Sequence, residues 1–268
     1  MTGPPGGTPA GVPAHEWGDA PDLYGPRHDY REALIMRRVR RWGPPRGAHA
    51  LDAGAGAGSL ALRLARHGHR VTAVDGSPAF VRRLQALLAR APGGPHAALT
   101  GDVGGLPVDD RVADLVVCAE VLEHLDDDAA AARELVRVMR PGALLVVTVP
   151  AGPRRFDWTD RWAGHRRRYT ARGLRALLED AGLEDVRVRA WGFPLSGLFH
   201  RHVYRPALRR RIDAGGAAAP GGAPHPLVRR AVRALLEFDT PFTGLFPGWM
   251  GLIATARRPG DGAAPRAR

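Results

Sequence analysis

The sequence predicts an α/β fold, a doubly wound and mostly parallel sheet of seven strands, and three observations predict it. Short apolar runs alternate with amphipathic stretches of helix length from residue 48 to residue 191, the rhythm of strands joined by crossover helices. The first run ends in three glycines at alternate positions, Gly54, Gly56 and Gly58, and passes at once into a helical pattern. The later runs, Val112 to Cys118 above all, are apolar almost throughout, as strands covered on both faces must be.

Residues 1–14 are rich in proline and glycine and are expected to be a disordered tail. Residues 15–47 read as an N-terminal arm or cap. They carry Trp17, Tyr24, His28 and Tyr30 and a helix from Tyr30 to Trp42, with Ala33, Leu34, Met36 and Val39 toward one side and Pro44-Pro45 as its stop. The core spans 48–191. Ala48 to Ala53 is its first strand, and the helix after the glycines runs through Leu60, Leu62, Leu64 and Ala65 to Gly68. Val71 to Val74 is the second strand and ends at Asp75. Ser77 then caps a helix with Pro78 at its first position, reaching about Arg90. Ala97 to Thr100 is the third strand, leading to Asp102, and Val112 to Cys118 the fourth. Asp126, Asp127 and Asp128 open the next helix, where acids complement the dipole, and it runs to Met139. Pro141-Gly142 breaks it before a fifth strand, Ala143 to Val149. Thr170 caps a helix to Ala181, and Val186 to Trp191 is the sixth strand.

Five parallel strands are thus followed by a C-terminal addition of two, the seventh being Met250 to Ala256 within the last core segment, 250–257. Residues 192–249 form a helical insertion before that strand, longer than a connection requires. It holds a basic helix from His200 to Ile212, a Gly/Ala/Pro break over 214–224 and a helix from Pro226 to Phe238, and it ends in Phe242, Leu245, Phe246 and Trp249. We read it as a lid with a disordered centre. Residues 258–268 are a polar, disordered tail.

Composition bounds the class. The 268 residues are 44% apolar and carry a net charge of +12, yet all 39 basic residues are arginine, spread along the chain. With the excess of Ala, Gly and Pro this looks like a coding bias, so the charge is read as a solvated basic surface and no nucleic-acid partner is expected. A single cysteine, Cys118, excludes an intramolecular disulfide and a Cys-rich zinc site, and reads as core. No apolar run has the length of a membrane span, and the N-terminus lacks the basic and apolar regions of a secretory signal. The expectation is a soluble, cytoplasmic protein; peripheral membrane contact through the insertion stays open, and the sequence is silent on oligomeric state.

A glycine turn between strand and helix brings backbone N–H groups and the positive helix end to a ligand. A dinucleotide fingerprint wants Gly-x-Gly-x-x-Gly/Ala, but counting from Gly54 its third position is Ser59. Asp52-Ala-Gly-Ala-Gly-Ala-Gly58, by contrast, resembles the class I S-adenosylmethionine-dependent methyltransferases, over about residues 48–191 and again at 250–257. Asp75-Gly76 after the second strand, Gly101-Asp102-Val103 after the third, Cys118-Ala-Glu-Val-Leu-Glu-His-Leu125 after the fourth and Arg137 to Gly142 before the fifth agree with it in order and spacing. The resemblance implies a Rossmann-like core, S-adenosyl-L-methionine as cofactor, and binding by Asp52, Gly54, Ala55, Gly56, Gly58, Asp75, Gly76, Asp102, Val103 and Ala119. In that family the second-strand acid accepts from the ribose hydroxyls and the third-strand acid from the adenine amino group.

Methyl transfer asks for orientation and, for a hydroxyl acceptor, a general base. His124 is the first candidate because its segment leaves the C-terminal edge of the sheet, where ligands of open α/β sheets bind; His165 is the second. Tyr24, Trp158, Arg166 and Tyr169 are candidates for the acceptor, and Arg166 to Arg168 either bind an anionic group or form a solvated face. No paired acids follow the fourth strand as in metal-dependent catechol-type enzymes, so no metal is expected. Gly164-His-Arg-Arg-Arg-Tyr-Thr170 resembles a bacterial small-molecule subgroup. The function expected is therefore methylation of a small molecule, on a hydroxyl, in a secondary-metabolite, quinone or sugar-lipid pathway. The alternatives are an RNA or protein methyltransferase and a non-catalytic S-adenosylmethionine-binding protein.

Overall fold

A computed structural model describes residues 26–213, 226–243, 245 and 250–261. Its seven strands are β1 (His49–Ala53), β2 (Arg70–Asp75), β3 (Ala97–Thr100), β4 (Ala113–Ala119), β5 (Met139–Pro150), β6 (Glu184–Trp191) and β7 (Gly251–Arg257), in the spatial order 3-2-1-4-5-7-6. The pairs β1–β2, β1–β4, β2–β3 and β4–β5 are parallel, while β7 is antiparallel to both β5 and β6. The sixth strand therefore runs with the first five, and β7 alone is reversed. Because β1 sits between β2 and β4, the chain changes direction across the sheet there, and the C-terminal ends of β1 and β4 lie side by side, Ala53 opposite Cys118. Crevices at such switch points are where open α/β sheets take ligands.

Alternation along the strands explains both covering layers. Leu115, Val117, Leu144 and Val146 face one layer, formed by α1 (Pro26–Trp42), α2 (Ser59–His67) and α3 (Pro78–Leu88). Val116, Cys118, Leu145 and Val147 face the other, formed by α4 (Asp128–Val138) and α6 (Ala171–Asp180). The caps form where the sequence places them: the Ser77 side chain accepts from the Phe80 N–H, Asp127 from Ala130 and Thr170 from Gly173. Cys118 is wholly buried, and burial pushes its thiol pKa up.

Three expectations need correction. The first helix begins at Pro26, a turn before Tyr30, and Tyr30, Leu34, Ile35 and Val39 are buried in the core. The fifth strand starts at Met139, before Pro141-Gly142, through an irregular register with β4. In the insertion the first helix starts at Leu195 rather than His200, as α7 (Leu195–Phe199), a π-helical turn (His200–Tyr204) and α8 (Arg205–Asp213) in succession. The second helix, α9 (Pro226–Glu237), packs on α1 with Leu236 buried. Buried Asp239 then accepts from the backbone N–H groups of Leu195 and Ser196, capping α7 at 2.8 and 2.7 Å from more than forty residues away in sequence. The insertion is thus pinned to the domain at its base. Its break at 214–224, and Tyr24, Phe246 and Trp249, lie outside the described residues.

Candidate active site

The glycine turn takes the backbone the sequence requires. Gly54, Gly56 and Gly58 all have positive φ, at 76°, 52° and 88°. Packing adds a second reason at two of them: a Cβ on Gly54 would come 2.4 Å from a Val121 methyl, and one on Gly58 2.4 Å from a Leu84 methyl. These two glycines therefore also let the turn close on neighbouring elements, a reason beyond the backbone angles and ligand approach read from the sequence. Asp75 joins the turn to the next loop, its carboxylate accepting from the Gly56 N–H at 2.7 Å and the Ser77 N–H at 2.9 Å. Ala55 donates from the same turn to the Val74 carbonyl, and Gly76 follows Asp75 without crowding. Asp102 is exposed and accepts from the Gly104 N–H at 2.6 Å, while Val103 behind it is buried. Ala119 ends β4, and Glu120 takes φ 57° to turn the chain into the crevice.

Asp52 lies beneath the turn, 1% exposed, with Oδ2 lacking a hydrogen-bond partner. Burial first, then the nearby charges of Glu32 and Asp75, raise its pKa to about 8. A buried, unsatisfied acceptor is costly unless a ligand completes it. The uncapped N-terminus of α2 points at the same place, Gly58 offering no side chain there. These features fit a ligand with a cationic amino-acid end and vicinal hydroxyls.

A group that the sequence does not single out comes from α1. Glu32 accepts from Ser59 Oγ at 2.5 Å, from Arg63 Nε at 2.5 Å and from His28 Nε2 at 2.9 Å. Burial alone would raise the Glu32 carboxyl, but the hydrogen bonds from His28 and Ser59 and the charge of Arg63 hold it at about 2. Arg31 beside it pairs with Glu120 at 3.4 Å. An i, i+4 His-Glu pair on a helix is common on surfaces, so no sequence signal marks Pro26–Trp42 as the buttress of the glycine turn.

Opposite the turn, the segment after β4 forms a short helical turn, Leu122–His124. His124 Nδ1 donates to the Gly164 carbonyl at 3.2 Å, and the His165 ring stands edge-on to it with centroids 4.8 Å apart. Burial and then the adjacent His165 lower the His124 pKa to about 4, so it is neutral near pH 7. Asp160, 1% exposed, accepts from His165 Nδ1 at 2.8 Å and from Arg168 Nε at 2.7 Å on one oxygen, and from the Asp157 N–H on the other. Burial would raise Asp160, but the bonds from His165 and Arg168 hold it below the usual carboxylate range. Asp157 and Asp160 form a capping box around α5 (Trp158–Trp162). That spacing is the one sequence signal that could have found Asp160.

The remaining candidates separate. Tyr169 is 7% exposed, and its hydroxyl donates to Asp128 at 2.7 Å, so it belongs to the core rather than to an acceptor surface. Arg166 is committed to Asp126 and to the His124 carbonyl, and Arg167 to Asp128 and the carbonyls of Leu125 and Asp126. Both tie the Gly164–Tyr169 segment to the loop after β4. Trp158 lies under the guanidinium groups of Arg205 and Arg209. Tyr24 is outside the described residues. Glu123 is wholly buried and neither of its carboxylate oxygens accepts a hydrogen bond, His165 Nε2 standing 4.0 Å from one of them. Burial with the charge of Glu120 raises its pKa well above the ordinary value. Glu123, His124 and His165 bring one ligand atom each within 4.8 Å of one another, a set able to hold a divalent cation that the sequence did not lead us to expect.

Comparison with known proteins bears on the same elements. Residues 51–147 match the model of a methyltransferase domain. Rv3030 of Mycobacterium tuberculosis, named a probable S-adenosylmethionine-dependent methyltransferase, is 33% identical over 66% of this chain, and the match spans 62% of that relative's length. A ubiquinone biosynthesis O-methyltransferase of Xanthomonas axonopodis is 31% identical over 65% of this chain and 78% of its own. Among solved structures, the cyclase SpnF superposes with a TM-score of 0.59 at 24% identity, covering 92% of this chain and 87% of its own, a likeness of fold alone. From the glycine turn, the Asp75 bridge and these relatives, the chain belongs to the class I S-adenosylmethionine-dependent methyltransferases.

Proposed function

We propose that this protein methylates the hydroxyl of a small molecule, with His165 as the general base. The Asp160–His165 pair carries the proposal: it lies against His124 beside the exit of β4, across the crevice from the glycine turn. Asp160 on Nδ1 fixes the tautomer that leaves Nε2 to accept a proton, and its negative charge stabilises the imidazolium that results. His124 is the weaker base because its pKa of about 4 opposes protonation, and its neutral ring serves as a wall that orients its neighbour.

S-adenosylmethionine, when bound, supplies a methyl group already activated as a sulfonium. The residues that would hold it are the turn from Gly54 to Gly58, with Ala55, then Asp75 and Gly76, Asp102 and Val103, Ala119, and Asp52 beneath. The chain's own work is to orient the acceptor, exclude water and remove one proton. Orientation contributes up to about 7–11 kcal/mol in ideal cases, and a base about 10²–10⁴-fold. The ubiquinone O-methyltransferases among the relatives favour oxygen as the acceptor atom.

The test is methyl transfer to a panel of phenolic, quinol and sugar-lipid acceptors, comparing wild type with His165→Gln and His124→Gln. Turnover is expected to fall by about 100-fold or more in His165→Gln, with cofactor affinity kept. Full turnover in that variant with an oxygen acceptor would remove the base role.

A further inference from the structure

A cavity of about 490 Å³ lies between the segment after β5 and the insertion helix, and its lining is strongly basic: Arg154, Arg155, Arg168, Arg201, Arg205 and His200. Among the described residues one acid, Asp157, belongs to it, and pairs with Arg205 at 3.1 Å. Arg154 and Arg201 have no acidic partner among the described residues. Phe156 and Met250 supply an apolar wall. The π-helical turn shapes the cavity: its wider spiral sets the Arg205 N–H on the His200 carbonyl, bringing residues five apart onto the same face.

Behind the lining, Arg27 is half-buried, rests over the Tyr204 ring at 4.5 Å and hydrogen-bonds His200 Nδ1 at 2.5 Å. Among the described residues no carboxylate pairs with it. A half-buried guanidinium whose hydrogen-bond partner is a neutral imidazole keeps its full positive charge and adds to a field that favours an anion nearby. His200 stays neutral because burial and the charges of Arg27, Arg168 and Arg205 oppose its protonation, so the cavity wall presents excess positive charge beyond what Asp157 balances.

Arg168 links the cavity to the candidate base: it lines the cavity and shares one Asp160 oxygen with His165. We propose that this cavity binds a phosphoryl group of the acceptor, so that the substrate is a phosphorylated molecule whose hydroxyl is presented to His165 while its phosphate rests among Arg154, Arg201 and Arg205. Forked guanidinium donors match phosphate oxygens and set orientation as well as affinity. The proposal deepens the methyltransferase reading and rests on it for the role of His165; the anion site itself is measurable separately.

The test is calorimetric titration of the full chain with inorganic pyrophosphate, and separately with S-adenosylmethionine, in wild type and in the double variant Arg154→Ala/Arg201→Ala. Saturable pyrophosphate binding, weakened about tenfold or more in the variant with the cofactor titration unchanged, is the expected result. No saturable binding, or equal affinity in the two proteins, overturns the proposal. Failure of wild type to bind S-adenosylmethionine would strike the methyltransferase reading and leave the pyrophosphate result standing. Flotation with phosphatidylglycerol vesicles against phosphatidylcholine vesicles separates the sources. Capture by the anionic vesicles that pyrophosphate competes away supports a lipid headgroup, and pyrophosphate binding without capture supports a soluble phosphorylated acceptor. Capture that pyrophosphate leaves unchanged, with no saturable pyrophosphate binding, counts against the cavity as the site.

Discussion

On one side of the crevice Gly54, Gly56, Gly58 and Asp75 are held through backbone N–H groups and positive φ angles. On the other, Asp160, His165, Arg168 and Arg205 are held through charged side chains reaching across loops and helices. The backbone hydrogen bonds of the first wall close within one β-α-β unit. The second wall joins the segment after β5, where Asp160 holds His165 and Arg168, to the turn after β4 and to an insertion whose helix α9 packs on α1. A wall of backbone fixes a ligand common to many proteins, whereas a wall of side chains can be re-cut for each acceptor without disturbing the sheet. Exposure follows the same division: Leu198, Val203, Leu227, Leu235, Phe238 and Leu245, the exposed large apolar residues among those described, all lie on the insertion. No helix among the described residues is long and apolar enough to cross a membrane.

The largest effect that separates the two walls is expected from Gly56→Val and Asp75→Ala. Each should weaken S-adenosylmethionine binding by about 100-fold or more, about 2.7 kcal/mol, with the pyrophosphate site intact. Near-normal cofactor affinity by calorimetry in either variant would break the comparison at its strongest point.

Next comes Asp160→Asn. It removes the charge behind His165 and one partner of Arg168, so turnover should fall about 10- to 100-fold with little change in cofactor affinity. Loss of turnover with the melting temperature kept would mark Asp160 as the group that positions His165, and unchanged turnover would make Asp160 a purely structural cap.

A smaller effect concerns stability. Asp52 has a folded pKa of about 8 against 3.8 unfolded, so the folded state binds the proton more tightly, and this contribution is lost as pH rises from about 4 through 8. His124 acts in the opposite sense, since its folded pKa of about 4 against 6.5 makes stability rise with pH across that window. The melting temperature of Asp52→Asn minus that of wild type should therefore grow steadily between about pH 5 and 8, by an amount on the order of 1–3 kcal/mol of stability. A difference independent of pH would mean that Asp52 is ionised in the fold.

The smallest expected effect is at Arg166. Its guanidinium is about half exposed, so its pairing with Asp126 is screened and Arg166→Ala should cost about 0–1 kcal/mol in thermal or denaturant unfolding. Because Arg166 also holds the His124 carbonyl, a rise in KM without loss of fold would show that the loop it ties down serves the acceptor.

The succession of strands and helices, the caps at Ser77, Asp127 and Thr170, and the glycine turn were legible in the sequence because each depends on residues near one another in the chain: a period, a capping side chain, a φ only glycine takes readily. The family was legible for the same reason. Tertiary structure alone decided that β7 inserts between β5 and β6, that α1 belongs to the core and carries Glu32 to the glycine turn, that Tyr169 turns away to Asp128, and that Asp160 stands behind His165. It alone drew five arginines and His200 from two distant segments into one cavity. An evenly basic sequence conceals such a cluster, because charge has no period along the chain and gathers only where the packing of helices on a sheet brings remote arginines together.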